Sequence, residues 1–119
     1  TTLVRGLVMA LPGGEQAEVA SPSFNIVNLY PTTPEVAHFD LYRLENLGLD
    51  DELLELLENE LILALVEWPE HMPEHLLPEH RLEITLQMDG KGRKARLQAT
   101  PASQDCLNEV LKTCGETLF

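Results

Sequence analysis

The chain has few cationic residues. Eight Lys and Arg stand against twenty Asp and Glu among its 119 residues, a formal net charge of −12. A negative field of this size repels phosphate backbones, so nucleic-acid binding is not expected as the dominant activity. The longest apolar run, Leu61 to Val66, is far shorter than the ~20 residues of a membrane-spanning helix. We therefore expect a cytoplasmic protein that meets any nucleic acid only indirectly.

Cysteine is scarce as well: Cys106 and Cys114 are the only two. They are eight residues apart in a segment with helical periodicity. Eight residues of helix separate the two Cα atoms by ~12 Å, which is too far for a disulfide bond. We expect two free thiols and a reducing compartment.

Apolar periodicity predicts the order of the secondary structure. Leu3, Leu7, Val8 and Leu11 fall at helical spacing, and Pro12 with two following glycines ends that helix. Two Asp residues, Asp50 and Asp51, favour the start of a second helix. The predicted elements are a helix over residues 1–11, strands over 24–30, 36–42 and 61–66, a helix from Asp50, a β-hairpin over 81–99 and a helix over 103–115.

The apolar run from Leu61 to Val66 is uninterrupted and is followed by Glu67, Trp68 and Pro69. Such a run closed by proline is typical of a strand buried on both faces of a parallel sheet. Together with two hairpins and flanking helices it predicts an α/β fold with antiparallel additions. At 119 residues the chain is expected to form a single domain, residues 1–119.

Four segments carry a family resemblance. They are TTLVRGL (Thr1 to Leu7), SPSFNIVNLY (Ser21 to Tyr30), HFDLYRL (His38 to Leu44) and VEWPE (Val66 to Glu70). In this order they resemble the TsaE family, the P-loop ATPase subunit of the bacterial system that makes threonylcarbamoyladenosine in tRNA. The resemblance covers roughly residues 1 to 100, including the RLEITL and GRKARL strands, and the last twenty residues carry no such signal.

The resemblance implies a P-loop NTPase-like sheet, with ATP and Mg²⁺ as ligands. It implies a switch that acts on a TsaD–TsaB transferase during modification of tRNA position 37, with the tRNA met only through that partner. In the family a strand and a glycine-rich loop ending in Gly-Lys precede the first helix. Both are missing from this sequence, and we expect roughly thirty to forty further residues before Thr1 in the native protein.

The resemblance also assigns nucleotide-binding residues. Thr1 becomes the threonine whose hydroxyl binds Mg²⁺, and Thr2 lies beside the α-phosphate. A helix N-terminus favours phosphate on physical grounds alone, because it offers unpaired N–H groups and partial positive charge. Glu67, at the end of the apolar strand, becomes a Mg²⁺ or water ligand. Trp68, the only tryptophan in the chain, either borders the nucleotide or packs as a half-buried side chain.

Asp40 is the candidate for positioning the attacking water, and Glu67 is the second catalytic candidate. Catalysis of phosphoryl transfer depends on positioning and charge neutralisation, for which one carboxylate beside the γ-phosphate suffices. If residues 36–42 form an alternating strand, His38, Asp40 and Tyr42 share one face. The alternative is that Asp40 caps a turn at the strand edge and that His38 is structural.

The partner-facing candidates are residues of the second and third segments. The loop Ser21-Pro22-Ser23-Phe24 occupies the position of a switch segment in the family, although it also fits an ordinary loop that enters a strand. His38, Tyr42 and Arg43 complete this set, as residues that either face a partner or support the site.

Pro-Glu-His occurs at residues 69–71, 73–75 and 78–80. Zinc binding is disfavoured because Pro73 lies between His71 and His75 and breaks any helix that would align them. Two other functions fit parts of the sequence. One is a small-molecule kinase in which Asp40 deprotonates a substrate hydroxyl. The other is an acidic interaction module without catalysis.

Overall fold

The computed structural model describes residues 2–20, 26–44 and 50–114. Its α/β architecture divides into two compact units, Thr1–Leu77 and Pro78–Phe119. In the first unit a three-stranded sheet lies between two helices, and the second unit combines a β-hairpin with one helix. The helices and strands are α1 (Thr2–Ala10), β1 (Val27–Tyr30), β2 (Glu35–Asp40), α2 (Asp51–Glu58), β3 (Ile62–Glu67), β4 (Leu82–Asp89), β5 (Gly92–Ala99) and α3 (Gln104–Cys114).

The sheet of the first unit has the order β1-β2-β3. Strands β1 and β2 form the predicted antiparallel hairpin, in which Tyr30 pairs with Val36. Strand β3 runs parallel to β2, and their last residues, Asp40 and Glu67, are paired. The predicted hairpin and the predicted parallel strand are both confirmed.

Helix α1 covers one face of this sheet. Val4 and Val8, one helical turn apart, are buried and pack in one cluster with Tyr30 and Val36 of the sheet. Leu65 of β3 joins the cluster as a partly buried side chain. The face that carries residue 36 of β2 and residue 65 of β3 is therefore the α1 face.

Helix α2 covers the opposite face, where Ala37 and Phe39 of β2 pack with Leu57. The Asp50 carboxylate caps this helix, since its Oδ1 accepts a hydrogen bond from the backbone N–H of Leu53 at 2.9 Å. This confirms the predicted start of the helix.

The prediction that Leu61 to Val66 is buried on both faces is wrong. The strand buried on both faces is β2, where residues 36–39 are all completely buried. On β3, Leu63 is 38% exposed and the other residues are half-buried. Strand β2 has a neighbour on each side, whereas β3 pairs only with β2 within the described residues.

The second unit contains the predicted hairpin of β4 and β5, joined at the paired residues Asp89 and Gly92. Helix α3 packs against β5, and its Leu107 is buried. Cys106 on α3 is an exposed free thiol, and the side chain of Cys114 lies outside the described set. In the ranges that the structure describes, every helix is too short or too polar to cross a bilayer.

Two glycines, one within α1 and one just after it, make a matched test of how the chain packs against the end of α1. A Cβ on Gly14 would stand 1.6 Å from the carbonyl oxygen of Val8, whereas a Cβ on Gly6 meets nothing within 4 Å. We expect Gly14→Ala to lower the free energy of unfolding by about 3 kcal/mol or more. Gly6→Ala, in the middle of the helix, should raise it by about 0.5–1 kcal/mol. Urea unfolding of both variants checks the pair, and equal stabilities would contradict this placement of α1.

Candidate functional site

Three polar side chains gather at the carboxyl ends of β2 and β3. Asp40 and Glu67 are the paired last residues of the two strands, and His38 precedes Asp40 by two positions. Side chains two apart share a face of a strand, so these residues lie on the same face as Val36 and Leu65, the α1 face. The carboxyl edge of parallel strands is where α/β proteins place their ligands.

His38 and Glu67 are in direct electrostatic contact. The His38 Nε2 lies 3.4 Å from the Glu67 Oε1, and the His38 side chain is completely buried. The contact does not have the geometry of a hydrogen bond, so neither ring nitrogen has a hydrogen-bond partner among the described residues. Leaving a buried polar group unpaired costs about 1–3 kcal/mol. Such groups are rare and concentrate at functional sites.

The two groups carry different charge states at neutral pH. Burial lowers the pKa of His38 and outweighs the carboxylate of Glu67, which raises it. Burial acts to raise the pKa of Glu67, and the contact with His38 acts to lower it. His38 is therefore neutral and Glu67 ionised, a combination suited to a carboxylate ligand held beside an imidazole.

The lowered pKa of His38 predicts acid sensitivity. An unfolded chain takes up a proton on this histidine near its ordinary pKa of 6.5, whereas the folded chain does not. In the absence of nucleotide and metal, the stabilisation from neutral His38 is complete above pH 6.5 and is lost as the pH falls below it. The free energy of unfolding, measured with a chemical denaturant, should be lower at pH 5.5 than at pH 7.5. This loss should be smaller in His38→Gln than in the wild type. The exposed His75→Gln is the control and should keep the full loss; equal losses in all three proteins would contradict the assignment.

Asp40 has one oxygen engaged locally. Its Oδ1 accepts a hydrogen bond from the backbone N–H of Tyr42 at 3.1 Å. The half-buried carboxylate has no other recorded hydrogen bond in the described part of the chain. The turn-capping contact therefore exists, and it leaves the second oxygen available for another role.

The prediction that Tyr42 shares a strand face with His38 and Asp40 is wrong. Strand β2 ends at Asp40, and Tyr42 begins a 3₁₀ turn, Tyr42–Leu44. The Asp40 carboxylate holds this turn through the N–H of Tyr42, which directs the chain away from the sheet. Arg43 lies in the same turn and is exposed.

Tyr42 instead joins an aromatic cluster with Trp68 and His71. Ring centroids are 5.0 Å apart for Tyr42 and Trp68 and 5.5 Å apart for Trp68 and His71. The Nδ1–H of His71 donates to the carbonyl oxygen of Leu41 at 3.0 Å, which fixes the ring just beyond the end of β2. Tyr42 is 59% exposed and Trp68 44% exposed, so the cluster presents an accessible aromatic surface.

Trp68 adopts a left-handed backbone conformation with φ 61° and ψ 48°. It is the one non-glycine residue with positive φ among the described residues. Such strain, of order 1–3 kcal/mol, persists where surrounding structure enforces it and clusters at ligand sites. His71 was missed as a functional candidate by sequence reasoning. The signal available in the sequence was its position three residues after Trp68, because one short turn brings residues at this spacing close together.

The remaining predicted residues divide by what the structure describes. Thr2 is the first residue of α1. Thr1 and the segment Ser21-Pro22-Ser23-Phe24 lie outside the described residues. In the described ranges no group of three His, Cys, Asp or Glu side chains could hold a metal ion. A cation here would need ligands beyond the protein carboxylates, as Mg²⁺ takes from phosphates and water.

Comparison with known proteins decides the family. The family model described as "Threonylcarbamoyl adenosine biosynthesis protein TsaE" matches residues 1–96. The chain belongs to the TsaE family. The recognised segments thus lie in a match that covers most of the chain, and TsaE proteins take part in tRNA threonylcarbamoyladenosine biosynthesis.

Individual TsaE proteins agree with this assignment. The "tRNA threonylcarbamoyladenosine biosynthesis protein TsaE" of Rickettsia felis is 31% identical over 83% of this chain and 58% of its own length. The Rickettsia bellii protein of the same name is 39% identical over 63% of this chain and 52% of its own length. The chain thus spans a little over half the length of these two relatives. The crystal structure of Bacillus subtilis YdiB matches with a TM-score of 0.58 and 25% identity, over 80% of this chain and 60% of that chain.

Proposed function

We propose that the complete native protein has a P-loop fold, binds ATP with Mg²⁺ at the carboxyl end of β2 and β3, and hydrolyses it in tRNA threonylcarbamoyladenosine biosynthesis. The observation that carries the proposal is the pair formed by buried His38 and ionised Glu67 at that edge of the sheet. Membership of the TsaE family supplies the pathway.

Phosphate binding is assigned to the start of α1. The first N–H groups of a helix have no intrahelical acceptors and carry partial positive charge, which favours a phosphate. Thr1 and Thr2 are the proposed nucleotide-binding residues there, following the Gly-Lys expected before them. The helix that presents Thr2 packs on the same sheet face that carries Glu67, which supports this pairing of roles.

The donor set fits Mg²⁺. This ion is usually held by one or two protein carboxylates together with phosphate oxygens and water. Glu67 offers one ionised carboxylate, and the hydroxyl of Thr1 is the proposed second protein ligand. When bound, the ion neutralises charge on the phosphates. His38, with its Nε2 3.4 Å from Glu67, is proposed to hold that carboxylate in position.

Asp40 is proposed to lie beside the γ-phosphate, where hydrolysis takes place. Trp68 is proposed to lie beside the nucleotide. The second carboxylate oxygen of Asp40 is available to hold the attacking water. Trp68 directly follows Glu67 in the chain and, with Tyr42 and His71, offers an exposed aromatic surface. Such a surface stacks readily on a planar base.

A TsaD–TsaB transferase is the proposed partner, with Ser21-Pro22-Ser23-Phe24, His38, Tyr42 and Arg43 as the region that transmits nucleotide state. Tyr42 connects this region to the proposed nucleotide site, because its N–H donates a hydrogen bond to Asp40 and its ring contacts Trp68. A nucleotide that moves either residue would be felt at the exposed turn 42–44.

Hydrolysis assays test the proposal. The complete protein should hydrolyse ATP slowly with Mg²⁺, not at all with EDTA, and faster when the transferase is added, because a switch ATPase gains transition-state contacts from its partner. Magnesium-independent hydrolysis, or none with or without the partner, would contradict it.

Partner binding should depend on nucleotide. We expect affinity for the transferase to differ at least about tenfold between an ATP analogue and ADP, and Arg43→Ala to remove most of that difference. Isothermal titration with each nucleotide measures it. The comparison variant neutralises Glu52, Glu55 and Glu58 on the exposed face of α2. Affinity that ignores nucleotide and Arg43 but is lost in this variant would move the interface to α2.

A further inference from the structure

The cationic residues are concentrated in one place. Four of the eight lie within residues 91–96: Lys91, Arg93, Lys94 and Arg96. All four side chains are exposed. The ion pairs recorded among the described residues involve other cations, such as Arg81 with Glu83 at 3.1 Å. None of these four cations forms an ion pair within the described residues, although the carboxylate of Asp89 lies at the same tip of the β4–β5 hairpin.

The pairing of the strands places part of this charge on one face. Arg96 pairs with Thr85 and Lys94 with Gln87, so these four side chains share the polar face of the hairpin. The intervening pair, Leu86 and Ala95, points to the other face. We call Thr85, Gln87, Lys94 and Arg96, together with Lys91 in the turn, the basic face.

The net charge conceals this separation. Over residues 82–99 four cations oppose two carboxylates, Glu83 and Asp89, and the rest of the chain carries fourteen net negative charges. Glu83 is moreover engaged by Arg81. Exposed charges more than about 10 Å apart are largely screened from each other at physiological salt. An anionic partner that reaches only the hairpin is therefore attracted despite the overall charge.

We propose that the basic face contacts the backbone phosphates of RNA; that this RNA is tRNA rests on the proposed function. Lysine, arginine, threonine and glutamine are all side chains that bind phosphate oxygens in nucleic-acid complexes. Each of the charged ones that meets a phosphate adds affinity by releasing counterions. The contact carries no base information and adds to whatever holds the RNA in place.

The geometry favours RNA over an anionic membrane. Membrane binding requires apolar side chains and cations to meet the same surface. Here Leu86, 52% exposed, and Met88, 75% exposed, share their face with a single cation, Arg93, which pairs with Met88. Lys94 and Arg96 lie on the opposite face. A flat lipid surface cannot touch both faces of the hairpin, whereas a phosphate backbone needs only the basic one.

A charge-matched pair of variants tests the proposal. The first, Lys91→Gln/Lys94→Gln/Arg96→Gln, removes three positive charges from the basic face. The second, Gln104→Glu/Asn108→Glu/Lys112→Gln, makes the same change in net charge at exposed positions of α3 in the same unit. Binding of a fluorescent tRNA transcript to the complete protein is measured by anisotropy, without nucleotide, from about 25 to 200 mM KCl.

The hairpin variant should bind about tenfold or more weakly at the lowest salt, with a log K against log[salt] slope smaller by about 2 to 3. The α3 variant should keep the slope of the wild type. Undetectable tRNA binding by the wild type, or equal losses in both variants, would overturn the proposal. Binding to vesicles of phosphatidylcholine and phosphatidylserine in place of tRNA would overturn it as well.

ATP hydrolysis, measured separately, distinguishes failure of this inference from failure of the proposed function. The hairpin variant should retain the partner-free hydrolysis rate of the wild type. A protein that binds tRNA through the hairpin but never hydrolyses ATP would keep the RNA contact and contradict the ATPase proposal. Normal hydrolysis without any tRNA contact would do the reverse.

Discussion

Glu67→Gln in the complete protein is expected to lower kcat for ATP hydrolysis by about 10²–10³-fold. The substitution keeps the shape of the side chain and removes the negative charge proposed to hold Mg²⁺. Glu67 is half-buried and its contact with His38 is a long one, 3.4 Å. The free energy of unfolding should therefore change by no more than about 1 kcal/mol.

The matched control is Glu70→Gln, three residues later in the turn Pro69–His71 that follows β3, and exposed. It removes the same charge from the same segment and should leave both hydrolysis and stability unchanged. Steady-state hydrolysis and thermal unfolding of the three proteins provide the readout. Wild-type hydrolysis by Glu67→Gln together with a large loss of stability would show that Glu67 is structural.

Asp40→Asn should lower kcat by about 10²-fold without unfolding the protein. Asparagine retains an oxygen that can accept the N–H of Tyr42, so the turn that follows β2 is preserved. It loses the negative charge that orients an attacking water. The substitution therefore separates the two roles that Asp40 could have, turn capping and catalysis.

Asp40→Ala supplies the comparison. If Asp40 only caps the turn, the asparagine variant behaves as the wild type and the alanine variant alone loses about 1 kcal/mol of stability. If Asp40 positions the water, both variants lose hydrolysis to a similar extent. Unfolding free energies and single-turnover rates of both variants decide between these outcomes.

Local sequence patterns predicted the elements well where one pattern dominates. Alternation over residues 82–88 gave β4, the Asp89-Gly90-Lys91-Gly92 turn gave the hairpin, and Asp50 gave the start of α2. Each rests on contacts between near neighbours in the chain, such as the bond from Leu53 N–H to the Asp50 carboxylate. Such contacts are visible in a window of a few residues.

Features that depend on distant neighbours were predicted less well. An apolar run does not say which strand lies in the middle of the sheet, and the burial expected of β3 belongs to β2. The alternation HFDLY does not show that Asp40 turns the chain before Tyr42. The strained backbone of Trp68 and its contact with His71 likewise depend on how β2 and β3 end side by side.

In the candidate site, too, local motifs were predicted well and contacts between residues distant in the chain were not. Asp40 and Glu67 were selected from family motifs, and the structure pairs them at the ends of adjacent parallel strands. The buried contact between His38 and Glu67 required the register of β2 against β3, which no pattern within either strand encodes. The basic face of the hairpin was concealed by the net charge of −12, an average over a chain with segregated charges.

MgATP is proposed to bind beside Glu67 and Trp68, and the fluorescence of Trp68 tests this binding most directly. Trp68 is the only tryptophan of this chain and is 44% exposed. Titrating the complete protein with ATP should change its emission saturably with Mg²⁺ and much more weakly with EDTA, and Trp68→Phe should abolish the change. Saturable ATP binding that leaves Trp68 emission unchanged, or no ATP binding at millimolar nucleotide, would contradict the claim.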